Sequence, residues 1–246
     1  MQNILRHYKS LAFASLFMIL GTAVFAFTFM PMSISISPSG AQSIASFRLT
    51  NDAAQQIAIS VKAMTRQIDE NGNETNEPAD NEFTIFPTRV VVQPNSFQNI
   101  KVQYKGSPKL AKEVAYRIIA EQVPIDFSQP QSSGVKVLFR YIAALYVAPS
   151  NVKDKLSVSK VEYAEQDGKK GFLVTITNSG TRHALINDPV LKISGGPSVS
   201  VTLSDDLLKA IQGQNLLAGN VRKFFIPYDN VSPNANYSGA LSATIE

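Results

Sequence analysis

From Val135 to Val147 every second residue is apolar: Val135, Val137, Phe139, Tyr141, Ala143, Leu145 and Val147 alternate with positions that include Lys136 and Arg140. A period of two puts all seven side chains on one face of a pleated strand, whereas a helix would scatter them around its circumference. The same period governs the chain upstream. Met30, Met32, Ile34 and Ile36 give a first strand, and Ala45, Phe47 and Leu49 a second that ends at the turn Asn51-Asp52. Ile57, Ile59, Val61 and Ala63 give a third. Arg89 to Val92 makes a short strand, and Ile100, Val102 and Tyr104 follow the turn Pro94-Asn95. In Glu113 to Ile125, Val114, Tyr116, Ile118 and Ala120 share one face, and Pro124 ends the ladder because it has no N–H to donate. Seven strands in about 120 residues predict an immunoglobulin-like sandwich.

Pro149-Ser150-Asn151 interrupts this pattern, and a second set of strands follows. The turn Gln166-Asp167-Gly168 closes a hairpin whose return strand carries Phe172, Val174 and Ile176. Leu185 to Ile193, Val199 to Leu203, Phe224 to Pro227 and Tyr237 to Ile245 supply further strands, and Asp205 to Ile211 has room for a helical turn or two capped by Ser204. The fold class expected is therefore all-β. Residues 27–148 form an N-terminal immunoglobulin-like domain and residues 149–246 a C-terminal sandwich. The acidic, Asn-rich stretch Asp69 to Glu82 has almost nothing to bury and reads as a solvated loop.

Residues 1–26 begin with Arg6, His7 and Lys9, continue with the apolar run Leu11 to Phe25 and end in V-F-A, the pattern of a cleavable secretory signal. Export ordinarily goes with disulfides, yet the chain contains no cysteine. Its domains must be held by apolar cores, and thiolate metal sites are excluded. Of the two histidines in the chain only His183 lies beyond the signal, in what reads as a solvated loop, so histidine-based acid–base chemistry has no basis. The carboxylate pairs Asp205-Asp206 and Glu162 with Glu165 read as helix-start and surface charges rather than catalytic dyads. There is no phosphate-binding loop and no metal-ligand cluster, so no catalytic residue, metal or cofactor is expected. With 23 basic against 19 acidic residues and no Lys/Arg run, nucleic acid is not an expected partner. Once the signal is cleaved, no membrane association is expected either.

Several segments, in order, carry a family resemblance. F-R-L-T-N-D at Phe47–Asp52, Phe86-Pro87 followed by Val92-Gln93-Pro94, Glu113 to Pro124, Tyr146 to Pro149, V-T-I-T-N-S-G-T from Val174, and L-A-G-N-V-R-K-F-F-I-P from Leu217 resemble successive strands of the periplasmic pilus and fimbria assembly chaperones, the PapD-like family. The resemblance implies two sandwiches in an L- or boomerang-shaped arrangement. It also implies a periplasmic chaperone, not an enzyme, that binds and stabilises pilus subunits and delivers them to an outer-membrane usher. Binding would lend the subunit a strand it lacks, with Val135, Val137, Phe139 and Tyr141 filling its groove.

The chain departs from the family at the cations. No Arg lies near Ser33 to Ser37 and no Lys near Ala143, where the best-known branch holds the subunit's terminal carboxylate. The anchor candidates left are Arg117, Arg140 and Lys136, of which Arg117 is favoured because it stands in an otherwise apolar strand. Val147-Ala148 replaces the family's Tyr-Arg-Pro continuation, which leaves Glu113 without the arginine it usually meets. A divergent branch of the family is indicated. The alternative is a secreted or surface β-sandwich module associated with a pilus or with carbohydrate.

Overall fold

The computed structural model describes residues 27–124, 137–195 and 199–245. The proposed signal segment, Val135 and Lys136 lie outside them.

The N-terminal strands are β1 (Phe27–Met30), β2 (Ser33–Ile36), β3 (Ile44–Asn51), β4 (Ile57–Thr65), β5 (Gln67–Ile68), β6 (Glu74–Thr75), β7 (Phe83–Phe86), β8 (Arg89–Val92), β9 (Ser96–Tyr104), β10 (Val114–Val123) and β11 (Arg140–Val147). Two sheets face one another, ordered β1-β3-β9-β7 and β2-β11-β10-β4-β8. The alternation read from the sequence fills the space between them: Phe47, Leu49, Ile59, Ile100, Val102, Ile118 and Leu145 are all buried in one core. Burying each such side chain stabilises the fold by about 1.5–3 kcal/mol.

The expected first strand is divided. Pro31 cannot give a ladder bond, and at this point the chain leaves one sheet for the other: β1 runs antiparallel to β3, whereas β2 runs parallel to β11. The crossing also shifts the buried face. Phe27 and Phe29 point inward in β1, Met30 and Met32 are exposed, and inward burial resumes at Ile36. Phe29 stacks on Phe47 with centroids 4.9 Å apart.

Asn51 ends β3 with no exposure. Its Nδ2 donates to the carbonyls of Gln55, Val92 and Gln93, and its Oδ1 accepts from the Ala53 N–H, so one amide satisfies main-chain groups where three segments meet.

The second set of strands is β12 (Leu156–Gln166), β13 (Lys169–Asn178), β14 (Ala184–Gly195), β15 (Val199–Leu203), β16 (Asn215–Leu216), β17 (Val221–Pro227) and β18 (Tyr237–Ile245). The expected hairpin turn is present, with Asp167 and Gly168 both at positive φ, as a two-residue connection between twisted strands requires. Hydrogen bonding runs β15-β14-β18-β12-β13-β17, but β12 and β18 meet only at Val161↔Tyr237. The sheet therefore folds into two leaves around Phe172, Val174, Ile176, Ile186, Leu191 and Ile193. Pro189 falls at an irregularity in β14 between Asn187 and Val190, which accommodates its missing donor. The expected helical turn is a short 3₁₀ segment, Asp205–Leu208, and Ser204 does not cap it; its hydroxyl donates to the Asp205 carboxylate instead. Asn178, unexposed at the end of β13, does for this domain what Asn51 does for the first. Its Nδ2 donates to the carbonyls of Arg182, Leu216 and Leu217, and its Oδ1 accepts from Lys155 and Gly180.

The acidic stretch beginning at Asp69 is more ordered than a solvated loop. Asp69 accepts N–H bonds from Asn71 and Asn73, and Gly72 takes the positive φ that closes the β5–β6 turn. The hairpin then lies on the second domain. Asn220 Nδ2 donates to the Ile68 carbonyl at 2.8 Å, Lys223 N donates to the Glu70 carbonyl, and Lys223 Nζ pairs with the Glu70 carboxylate at 2.7 Å.

Candidate functional site: a half-covered strand and the cleft beside it

β11 is paired along its whole length with β10, from Arg140↔Glu121 to Val147↔Val114. On its other side β2 covers only Ala144 to Val147. The first bond of that pairing runs from Ala144 N to the Met32 carbonyl at 2.9 Å and the last from Ala148 N to the Ile36 carbonyl, so the even-numbered residues aim their main chain towards β2. The same alternation turns the main-chain groups of Arg140 and Ile142 towards an edge that no described strand occupies.

The side chains along this edge are apolar and only partly covered. Val137 is 60% exposed, Leu138 50% and Ile142 42%. Phe139 and Tyr141 lean on the domain's own core, and Tyr141 meets Phe27 edge-on with centroids 4.8 Å apart. Of the four residues singled out as groove-filling, Val137 stands free, Phe139 and Tyr141 are half-buried, and Val135 lies outside the described residues. Leu138 and Ile142 were not singled out, because the sequence reading followed the odd-numbered face alone.

Beside this edge the outer face of the five-stranded sheet looks into the space between the domains. Ala115, Ala144 and Tyr146 on that face pack with Leu217 of the second domain and with Ile68 of the hairpin. Arg117 stands directly across from Ala144 on one side and Met64 on the other. It is not alone. Glu74 accepts from Arg117 Nε at 2.7 Å and Nη2 at 2.5 Å, a two-point grip, and also from Arg66 Nε at 3.0 Å. Burial alone would raise the Glu74 carboxyl, but the hydrogen bond and charge of Arg117 with the charge of Arg66 outweigh it and hold the group down to about 2. Arg66 Nη1 continues to the Tyr146 hydroxyl at 3.0 Å, which also accepts from Asn215 Nδ2 of the second domain. Of the other two candidate cations, Arg140 is half-exposed and 3.6 Å from Glu121, and Lys136 lies outside the described residues.

Glu113 has a partner after all. Its buried carboxylate accepts the His183 N–H at 3.0 Å and meets His183 Nδ1 at 2.6 Å, while Glu113 N donates to the Thr181 carbonyl. His183 is buried rather than solvated and stacks on Tyr146, with centroids 3.8 Å apart and planes 7° from parallel. The expectation of a loop histidine in water is corrected here. An aromatic face and a buried carboxylate both need cover, and the imidazole supplies it to both. The signal available in the sequence was the coincidence of a partnerless Glu113 with a single histidine. For Glu74 there was no comparable signal, because a two-residue strand leaves no period to read, and Arg66 falls between two strands.

Residues 32–153 match the family described as pili and flagellar-assembly chaperone, PapD N-terminal domain. Through this domain the chain belongs to the PapD-like assembly-chaperone family. The chaperone's fold is also similar to solved structures. The chaperone–tip adhesion subunit complex CsuC–CsuE of Acinetobacter baumannii matches at 15% identity and a TM-score of 0.60 over 84% of this chain and 90% of that one. The class 5 fimbriae chaperone CfaA matches at 16% and 0.57 over 89% and 100%, and the Escherichia coli chaperone DraB at 13% and 0.51 over 89% and 96%. At such identities the likeness is one of fold. No curated protein matches the sequence.

Proposed function

We propose that this chaperone works in the periplasm, captures pilus subunits along the uncovered half of β11, and passes them to an outer-membrane usher. The observation that carries the reading is the partial cover of β11. A strand edge that no described strand covers, with Val137, Leu138 and Ile142 exposed, is an aggregation hazard unless a partner strand belongs there. A subunit lacking one strand is such a partner, since ladder bonds supply affinity and alternate side chains supply fit. Arg117, at the cleft end of the same strand pair and held by Glu74, is the cation we assign to a subunit's terminal carboxylate.

Co-expression with pilus subunits from the same genome, followed by affinity purification, tests the capture. Ile142→Pro removes one outward N–H from the edge and leaves the β10 ladder intact, so the variant should fold and lose the subunit. Full recovery of subunit with folded Ile142→Pro would overturn capture along this edge. Failure of the wild type with every subunit, joined to binding of a polysaccharide, would favour a surface module.

A further inference from the structure

We infer that Glu74 is a positioning residue for the cleft cation: it fixes the Arg117 guanidinium by one edge so that the remaining fork faces an incoming carboxylate. This deepens the carboxylate-anchor reading and rests on it. The geometry has three parts. First, Glu74 takes Nε and Nη2 of Arg117, and Nη1 has no protein partner among the described residues. A guanidinium carries five N–H donors, so a second two-point contact stays open. Second, the cluster has two cations and one anion. Glu74 offsets one charge of Arg117 and Arg66, and a net single positive charge remains in the cluster, beside the apolar group of Ala144, Ala115 and Tyr146. Side-chain exposure falls from 24% at Glu74 to 18% at Arg117 and 8% at Arg66, which makes Arg117 the more accessible of the two arginines. Third, the acid is delivered by the β5–β6 hairpin, which hydrogen-bonds Asn220 and Lys223 of the second domain. The orientation of Arg117 is thereby tied to how that domain is seated.

The test uses the full mature chaperone and a dye-labelled strand-forming peptide, Thr-Val-Thr-Val-Thr-Phe, with either a free C-terminal carboxylate or a C-terminal amide. A charge-assisted contact gives the wild type a preference of about tenfold for the carboxylate form. In Glu74→Gln the preference falls to about twofold while affinity for the amide form is unchanged, and Glu74→Asp recovers part of it. Asn220→Ala joined to Lys223→Ala removes the side-chain ties of the hairpin to the second domain without touching Arg117 and lowers the preference in the same direction. It also serves if Glu74→Gln does not fold. A raised preference in Glu74→Gln would mean that Glu74 competes with the ligand, and equal losses for both peptides would mean a purely structural role; either result overturns the inference. A wild type that binds neither peptide, or both equally with no change in Arg117→Ala, overturns it together with the anchor. Capture along β11 is then judged separately by the Ile142→Pro co-purification.

Discussion

Replacing His183 with alanine should loosen the joint between the two domains. The Glu113 side chain is 2% exposed, and its carboxylate has two contacts on His183, the main-chain N–H at 3.0 Å and Nδ1 at 2.6 Å. The substitution keeps the first and deletes the second. Losing a hydrogen bond to a buried charge costs about 1.5–3 kcal/mol, and losing the stack on Tyr146 about 0.5–1.5 kcal/mol more. A destabilisation of about 3 kcal/mol follows, or about 6–12 °C in Tm for a chain of this size. The chain has no tryptophan, so urea unfolding is followed by tyrosine fluorescence and far-ultraviolet circular dichroism. Hydrogen exchange locates the effect: the amides of Glu113 and His183, which bridge the domains, should exchange faster while those within β3 and β13 hold. Glu113→Gln keeps an acceptor for the main-chain N–H and should cost less, about 1 kcal/mol. A loss below about 1 kcal/mol in His183→Ala, or unchanged exchange at Glu113 and His183, would refute the clasp as a source of stability.

Asn51→Ala and Asn178→Ala each strand several buried main-chain carbonyls and N–H groups, and each should cost about 3 kcal/mol by urea titration; the Asn→Asp variants, which cannot donate, should be no better. Gly171→Ala should destabilise the second domain, because a Cβ there would collide with the Ile226 carbonyl of β17; a Tm equal to the wild type's would show that the strands can part at no cost. Glu74 has its folded-state pKa lowered from 4.5 to about 2, so its contribution to stability is complete above pH 4.5 and is lost as pH falls towards 2. The stability difference between wild type and Glu74→Gln should shrink over that window in acid titrations, and a constant difference would contradict the pairing with Arg117 and Arg66.

The parts of this fold that announce themselves in the sequence are those whose period is long enough to count. β10, β11 and the hairpin of β12 and β13 are legible because eight or more residues alternate, and Asp167-Gly168 names its own turn. β1 was harder. The run Met30, Met32, Ile34, Ile36 has a clean period, but a proline inside it moves the chain to another sheet, and Met30 and Met32 on either side of the break end up exposed. The cleft was least legible. Arg117 could be picked out as a cation in an apolar strand, yet its partner comes from a strand of two residues whose place is set by contacts with Asn220 and Lys223, more than 140 positions away. Contacts of that kind leave no local trace.

The parallel strand β2 has a consequence for how a guest would be aligned. Because β2 begins at Ser33, opposite Ala144, it stands as an end-stop on the track that runs along β11. A guest strand sliding along that edge would come to rest against Met32, its last residue halting beside Ile142, just short of the Ala144 that faces Arg117. Alignment by collision needs no particular side chains from the guest. One carrier built this way can seat many different cargoes in a common register, provided each finishes at its own terminus.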